Sequence, residues 1–212
     1  MQKPDVAMES VRPASVHPRD GGEPAVLEGS HNVPSGRVSQ LGFGGGCHWC
    51  TEGVFQALRG VIQVDQGFVQ SDAPADHWAE GVIVTFDPSS IDLATLAEVH
   101  LRTHSATRAR SPRSKYRSAI YIFEDVQRDA AERAIAHFAM ESGMAVHTLV
   151  LPLAGFQASA ERYQNYYRTN PARPFCLRFI APKLDYIRQH FAEVALPEVP
   201  TDDGRRKSKP RA

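Results

Sequence analysis

Apolar residues between Val38 and Phe43 form a short run that empties into Gly44-Gly45-Gly46. The pattern predicts a strand ending in a tight turn. The spacing then changes. Thr51, Val54, Phe55 and Leu58 share one helical face in a helix expected over roughly His48 to Leu58, and Gly60 marks its stop. Val61 to Val69 is expected to be a strand. Glu80 to Phe86 alternates cleanly, so Val82, Val84 and Phe86 point one way. Asp87-Pro88 turns the chain, and Asp92 is placed to cap a helix running to about His104. Arg117 to Phe123 is apolar and β-rich. Asp125 begins a strong helix with Val126, Ala130, Ala131, Ala134, Ile135 and Phe138 on one face and Gly143 beyond its end. His147 to Leu151 is a further strand, and Ser159 to about Arg168 is expected to be helical. Strands and helices mixed in this way predict a sheet covered by helices.

The ends read differently. Residues 1–37 contain no Phe, Trp or Tyr and hold five prolines, Pro4, Pro13, Pro18, Pro24 and Pro34. Such a segment cannot bury enough apolar surface to offset its ordering entropy, and disorder is expected. The tail from about Pro197 also lacks aromatics and ends GRRKSKPRA. It is read as a solvated basic tail rather than a tether for nucleic acid. This leaves one domain over residues 38–196.

Composition narrows the function. Lys plus Arg and Asp plus Glu both total 24, so the 212-residue chain has no formal net charge. That argues against a protein whose main task is to coat nucleic acid, which needs a basic excess. No run of 18 apolar residues suggests a membrane span, and the first residues lack the apolar core of a secretory signal. Three cysteines are an odd number, which disfavours a disulfide scaffold. A reducing cytoplasm is the expected compartment.

The most informative stretch is Gly44-Gly45-Gly46-Cys47-His48-Trp49-Cys50-Thr51-Glu52. A strand ends in three glycines and a cysteine starts a helix. A helix N-terminus stabilises an anion, so the Cys47 thiol is expected to ionise readily, and the thiolate is the nucleophile. Zinc would need a second ligand pair to join Cys47 and Cys50. Cys176 is the only other cysteine and no His-x-x-x-His pair lies beside it, so no metal is expected. Two chemistries remain open on the residues alone. One is a Cys47–Cys50 dithiol pair, and the other is a single nucleophile with Trp49 as the wall of a pocket.

The segment GGGCHWCTEGVF resembles the GCFWC-x-E-x-x-F signature of the peptide methionine sulfoxide reductase A family. Further stretches resemble family motifs in the same order. They are Arg59-Gly60-Val61, His77-Trp78-Ala79-Glu80 leading to Phe86-Asp87-Pro88, and Lys115-Tyr116-Arg117-Ser118-Ala119-Ile120-Tyr121. Near the end, Ala160-Glu161-Arg162-Tyr163, Asn170-Pro171 through Phe175-Cys176, and Ala181-Pro182-Lys183 resemble the closing motifs of some members.

The resemblance implies an α+β fold, a mixed sheet with packed helices in a ferredoxin-like two-layer sandwich. It implies thiol-dependent reduction of methionine-S-sulfoxide, free or in peptides, through a cysteine sulfenic acid. By the same carry-over Cys47 is the nucleophile and Glu80 the acid at the sulfoxide oxygen. Tyr116 holds that oxygen, and Trp49 with His48, which stands where the family has Phe, cradles the substrate methyl group. Cys176 is the resolving cysteine, with Cys50 as the alternative. No cofactor is bound, thioredoxin or another thiol supplies electrons, and a monomer is expected. The residues add one argument for Glu80. It shares a strand face with Val82, Val84 and Phe86, and a carboxyl facing an apolar layer is desolvated, which suits a general acid.

The chain departs from the family at two loops. Val69 to Asp76 is short and holds no tyrosine, and no aspartate occurs between His104 and Tyr116. A second oxygen-binding tyrosine and an aspartate of the family are therefore missing. This leaves room for a catalytically weakened relative that binds Met-containing peptides or senses oxidants. Arg108, Arg110, Arg113 and Lys115 crowd the second loop, either as a site for an acidic substrate or as a solvated basic loop.

Overall fold

The structure is a computed structural model and describes residues 38–199. The expectations for residues 1–37, and for all of the basic tail but Pro197–Val199, lie outside the described residues. Val199 itself is 8% exposed and belongs to the main core.

Among the described residues six strands form one sheet: β1 (Ser39–Gly44), β2 (Val61–Gln70), β3 (Ala79–Phe86), β4 (Ala119–Ile122), β5 (Leu149–Pro152) and β6 (Gly155–Ala158). Their order is β5-β4-β1-β3-β2-β6. Only β4 and β5 run parallel; the other neighbours are antiparallel. A parallel pair needs a crossover, and α3 (Arg128–Ser142) provides it. The remaining helices are α1 (His48–Phe55), α2 (Leu93–Thr103), α4 (Tyr166–Thr169) and α5 (Ala181–His190).

Alternation along the strands divides the sheet into two faces. Phe43, Val82, Val84 and Ile120 point into the main core with Phe55 of α1, Leu96 of α2 and Leu184 of α5. Val69, Ala79, Ile83 and Tyr121 occupy the other face, with Leu149 and Phe156 packed against them. The fold is α+β, with a mixed sheet and packed helices, as the sequence led us to expect. Among the described residues no helix is long and apolar enough to cross a membrane.

Local signals explain several boundaries. Asp92 caps α2, its carboxylate accepting from the Thr95 amide at 2.7 Å. Gly143 ends α3 with φ of 66°, a left-handed position that favours glycine. Other expectations need correction. Val126 was placed on the buried face of a helix but is 78% exposed. Residues Asp125–Gln127 form a tighter 3₁₀ turn, and Gln127 is the side chain that turns inward, onto the Gln40 carbonyl at 2.9 Å. The helix expected from Ser159 to Arg168 is instead a 3₁₀ turn (Glu161–Tyr163) and the short α4, separated by Asn165 at φ of 55°. Strand β6, helix α5 and the wide turn Cys176–Ile180 before it were not foreseen.

Candidate active site

Cys47 is the N-cap of α1, with φ of −66° and ψ of 123°. Its carbonyl accepts from the amides of Cys50 at 3.0 Å and Thr51 at 3.2 Å, closing the first turn. The thiol therefore stands at the positive end of the helix. The glycines before it serve close approach. A Cβ on Gly45 would fall 2.4 Å from the ring of His104, which stacks on His100 with centroids 3.9 Å apart.

Glu80 reaches the same helix end from β3. It is 6% exposed, and its Oε2 accepts from the amide of His48 at 3.2 Å. The carboxyl and the nucleophile are thus one peptide unit apart. The expected side-chain parity holds, since Glu80 lies on the face of Val82 and Val84. The Glu80 amide donates to the Lys115 carbonyl at 2.8 Å, which brings Tyr116 beside the start of β3. Tyr116 is half-buried, and the Lys115 ammonium lies 5.0 Å from its ring centre.

A buried arginine fixes this corner. Arg117 is 1% exposed. Its Nε donates to the Tyr121 hydroxyl at 2.6 Å, and its guanidinium also donates to the carbonyls of Pro112, Val69 and His77. It ties together the two loops that flank Glu80 and Tyr116. The sequence marked Arg117 only as a motif position.

His48 is not a solvated residue. It is 7% exposed, its Nδ1 donates to the Gly67 carbonyl at 2.9 Å, and its ring meets Phe68 edge-on at 5.5 Å. With the proton on Nδ1, the other ring nitrogen faces Glu80 Oε2 at 3.9 Å. The residue that replaces an apolar wall thus places a titratable group beside the acid. Trp49 turns the other way. Its indole stacks on Tyr166 at 4.1 Å and 4°, and Phe175 meets it edge-on at 5.6 Å. Tyr166 and Phe175 were not singled out as site residues, because nothing in the loop pattern shows which aromatic will meet Trp49.

Glu52 organises that wall from below. It is fully buried, and its carboxylate accepts from the amides of Asn165 at 2.6 Å and Tyr166 at 2.8 Å. Burial pushes its pKa up to about 7, against the opposing pull of these amides. The folded state therefore holds its proton to higher pH than the unfolded chain does. The linked stability is full below about pH 4.5 and is lost as pH rises to about 7, by at most on the order of 3 kcal/mol. The expected result is that Glu52→Gln gains stability relative to the parent between pH 4.5 and 7.5. Thermal unfolding across that range checks it, and parallel curves would remove Glu52 from the pH dependence.

The other two cysteines differ. A hydrogen bond to Cys47 and burial push the Cys50 thiol well above the ordinary thiol range. Cys50 therefore stays protonated. Cys176 is fully buried at the start of the wide turn, beside Phe175 of the aromatic wall, and it perturbs Cys50 electrostatically. Burial raises its thiol too, with Arg173 opposing.

Of the four cations in the loop before Tyr116, the structure brings only Arg110 to Cys47, where both line one cavity. Arg113 stands against His77 at 3.0 Å, and Lys115 covers the Tyr116 ring. Lys183, from α5, joins Arg110 at that cavity.

The family model described as peptide methionine sulfoxide reductase matches residues 39–195. A peptide methionine sulfoxide reductase MsrA of Deinococcus radiodurans is 32% identical over 176 residues, covering 76% of this chain and 85% of the relative. In structure, the reduced form of Mxr1 from Saccharomyces cerevisiae superposes with a TM-score of 0.56 at 21% identity, over 66% of this chain and 89% of that one. Mxr1 in complex with Trx2 gives 0.50 at 18% identity, over 66% and 91%.

Proposed function

This chain belongs to the peptide methionine sulfoxide reductase family, and from that premise we propose how its residues share the work. The protein is an oxidoreductase that reduces methionine sulfoxide to methionine. The readings as a binding protein or as a Cys47–Cys50 dithiol oxidoreductase are not favoured.

The Cys47 thiolate attacks the sulfoxide sulfur. Glu80, with Tyr116 beside it, holds the sulfoxide oxygen and delivers one proton, solvent supplies a second that returns when water adds to Cys47, and the oxygen leaves as water from a sulfonium bonded to the Cys47 sulfur. Water then attacks the Cys47 sulfur, the sulfur–sulfur bond breaks, and methionine departs. Net, Cys47 is oxidised to the sulfenic acid and the sulfoxide is reduced by two electrons. The Trp49 face receives the substrate methyl group, with His48 on the other side. Cys176 resolves the sulfenic acid, forming a disulfide and releasing water. A thioredoxin-like dithiol then takes up that oxidation, a partner type suggested by the Mxr1 complex with Trx2. We place this cycle in the cytoplasm, in one domain over residues 38–196, with no bound cofactor.

One observation carries the proposal: Glu80 accepts from the amide adjacent to Cys47 at 3.2 Å. A nucleophile and an acid held one peptide apart can act on neighbouring atoms of a single S=O group. The test is turnover with a dithiol reductant on the separate S and R epimers of a methionine sulfoxide peptide. Methionine forms from the S epimer only. No product from either epimer, or preference for R, overturns the reading.

The cysteine roles have their own outcome. Cys176→Ser still forms one methionine per protein, but its thioredoxin-supported steady-state rate falls at least about tenfold, because the sulfenic acid lacks its intramolecular thiol. Cys50→Ser keeps that rate. The reverse pattern would assign resolution to Cys50.

A further inference from the structure

A cavity of about 180 Å³ opens beside Cys47, between the start of α1 and the end of α2. Its wall includes Cys50, His100, His104, Arg110 and Lys183, and none of His48, Trp49, Glu80 or Tyr116. It shares only Cys47 with the groups assigned above to the sulfoxide. Nothing proposed so far uses it.

Its charge is one-sided. Among the described residues no Asp or Glu lines it. The two imidazoles are neutral, because burial pulls His100 well below the usual histidine range and His104 down to about 4. Their ring protons are also committed. His100 donates to the Gly44 carbonyl at 3.0 Å, and His104 donates to the His100 carbonyl at 2.5 Å and meets the Ser118 hydroxyl at 2.6 Å. The charges that remain are Lys183 and Arg110. Lys183 donates to the Thr103 carbonyl, at the negative end of α2. Arg110 lies close enough to His104 to act on its titration, and its Nε is buried with no acceptor among the described residues. A buried guanidinium donor without an acceptor carries a desolvation cost that an incoming anion removes.

We propose that this cavity is a carboxylate subsite for a ligand whose sulfur engages Cys47, with Arg110 as the anchoring donor and Lys183 as the second charge. The proposal rests on the reductase reading and names its substrate class. The preferred substrate carries a carboxylate a few bonds from the sulfoxide, as free methionine sulfoxide or a C-terminal residue does. A small thiol reductant bearing a carboxylate presents the same chemistry. The cavity has room for such a group but not for a folded partner.

Two kinetic arms separate the sources. The first compares N-acetyl-methionine-S-sulfoxide with its uncharged amide in single turnovers without reductant. The second compares 3-mercaptopropionate with 2-mercaptoethanol as the reductant. In the parent protein the carboxylate form is favoured about tenfold or more in the half-saturating concentration, the scale of one charge-assisted hydrogen bond. In Arg110→Gln that ratio collapses toward one. A preference in the first arm assigns the carboxylate to the substrate, and a preference confined to the second assigns it to the reductant. No preference in either arm, or one that persists in Arg110→Gln, overturns the proposal.

A readout without turnover keeps the subsite distinct from the reductase reading. Titration with propionate, followed by NMR at the amides of Gly45, Gly46 and Arg110, gives saturable shifts in the parent protein and none in Arg110→Gln. Absent shifts overturn the subsite. Shifts without reduction of any sulfoxide uphold the anion site and overturn the reductase mechanism instead.

Discussion

Cys47→Ser lowers methionine formation at least about 10⁴-fold, to the background of the uncatalysed reaction. Three features set the size of this effect. A serine hydroxyl at the same helix end does not ionise near neutral pH, and an alkoxide cannot accept the oxidation that the sulfur atom carries. The neighbouring thiol cannot stand in. Cys50 is held protonated by its hydrogen bond to Cys47 and by burial, and its Cα lies within the helix rather than at its mouth. Cys176 is fully buried behind the aromatic wall. The backbone of Cys47 makes the N-terminal turn through its carbonyl, which serine retains, so the variant should melt close to the parent. Product formation by either epimer in each single turnover checks the prediction, with the melting curve as the control for folding.

Glu80→Gln is expected to lower the single-turnover rate about 10²- to 10³-fold, with little change in the half-saturating concentration. Glutamine has nearly the shape of the carboxyl. Its oxygen can still accept from the His48 amide, and its NH₂ can still donate a hydrogen bond to a bound sulfoxide oxygen. What it cannot do is transfer a proton and let that oxygen leave as water. The loss therefore falls on the chemical step rather than on binding. A purely structural role predicts another pattern. If Glu80 only satisfied the helix end, glutamine would cost activity little and stability little. Rate and affinity measured together, with Tyr116→Phe alongside, distinguish the two. The chain has neither the second tyrosine in the Val69–Asp76 loop nor an aspartate between His104 and Tyr116. With fewer groups around the oxygen, the burden on Glu80 is larger.

Much of this site was legible in the sequence, for identifiable reasons. The Gly-Gly-Gly-Cys turn, the period-two alternation of β3 and the Asp92 cap are local signals, and the structure follows them. The parity that puts Glu80 with Val82 and Val84 needs only the strand period. What escaped notice is non-local. Glu52 reads as an ordinary acidic residue in a helix, yet its partners are amides 113 and 114 residues further along the chain. Arg117 reads as a motif position at the start of a β-rich stretch, and nothing near it shows that four acceptors will surround it. The stretch from Ser159 to about Arg168 reads as one helix, but Asn165 breaks it in the left-handed region, where the Glu52 carboxylate takes the amides of Asn165 and Tyr166. His48 was legible as a substitution but not as a contact. Only the fold shows its imidazole between the Gly67 carbonyl and Glu80.

The central claim is that reduction of methionine sulfoxide oxidises the sulfur of Cys47 by two electrons, to the sulfenic acid. The most direct test mixes fully reduced protein, without added reductant, with the S epimer of a methionine sulfoxide peptide. Methionine is quantified per protein, and the cysteines are mapped by mass spectrometry after trapping with a sulfenic-acid reagent in the Cys176→Ser background. The account predicts about one methionine per protein and the trapped adduct on Cys47. Methionine formed with the adduct on Cys50, or with no cysteine oxidised, would contradict it.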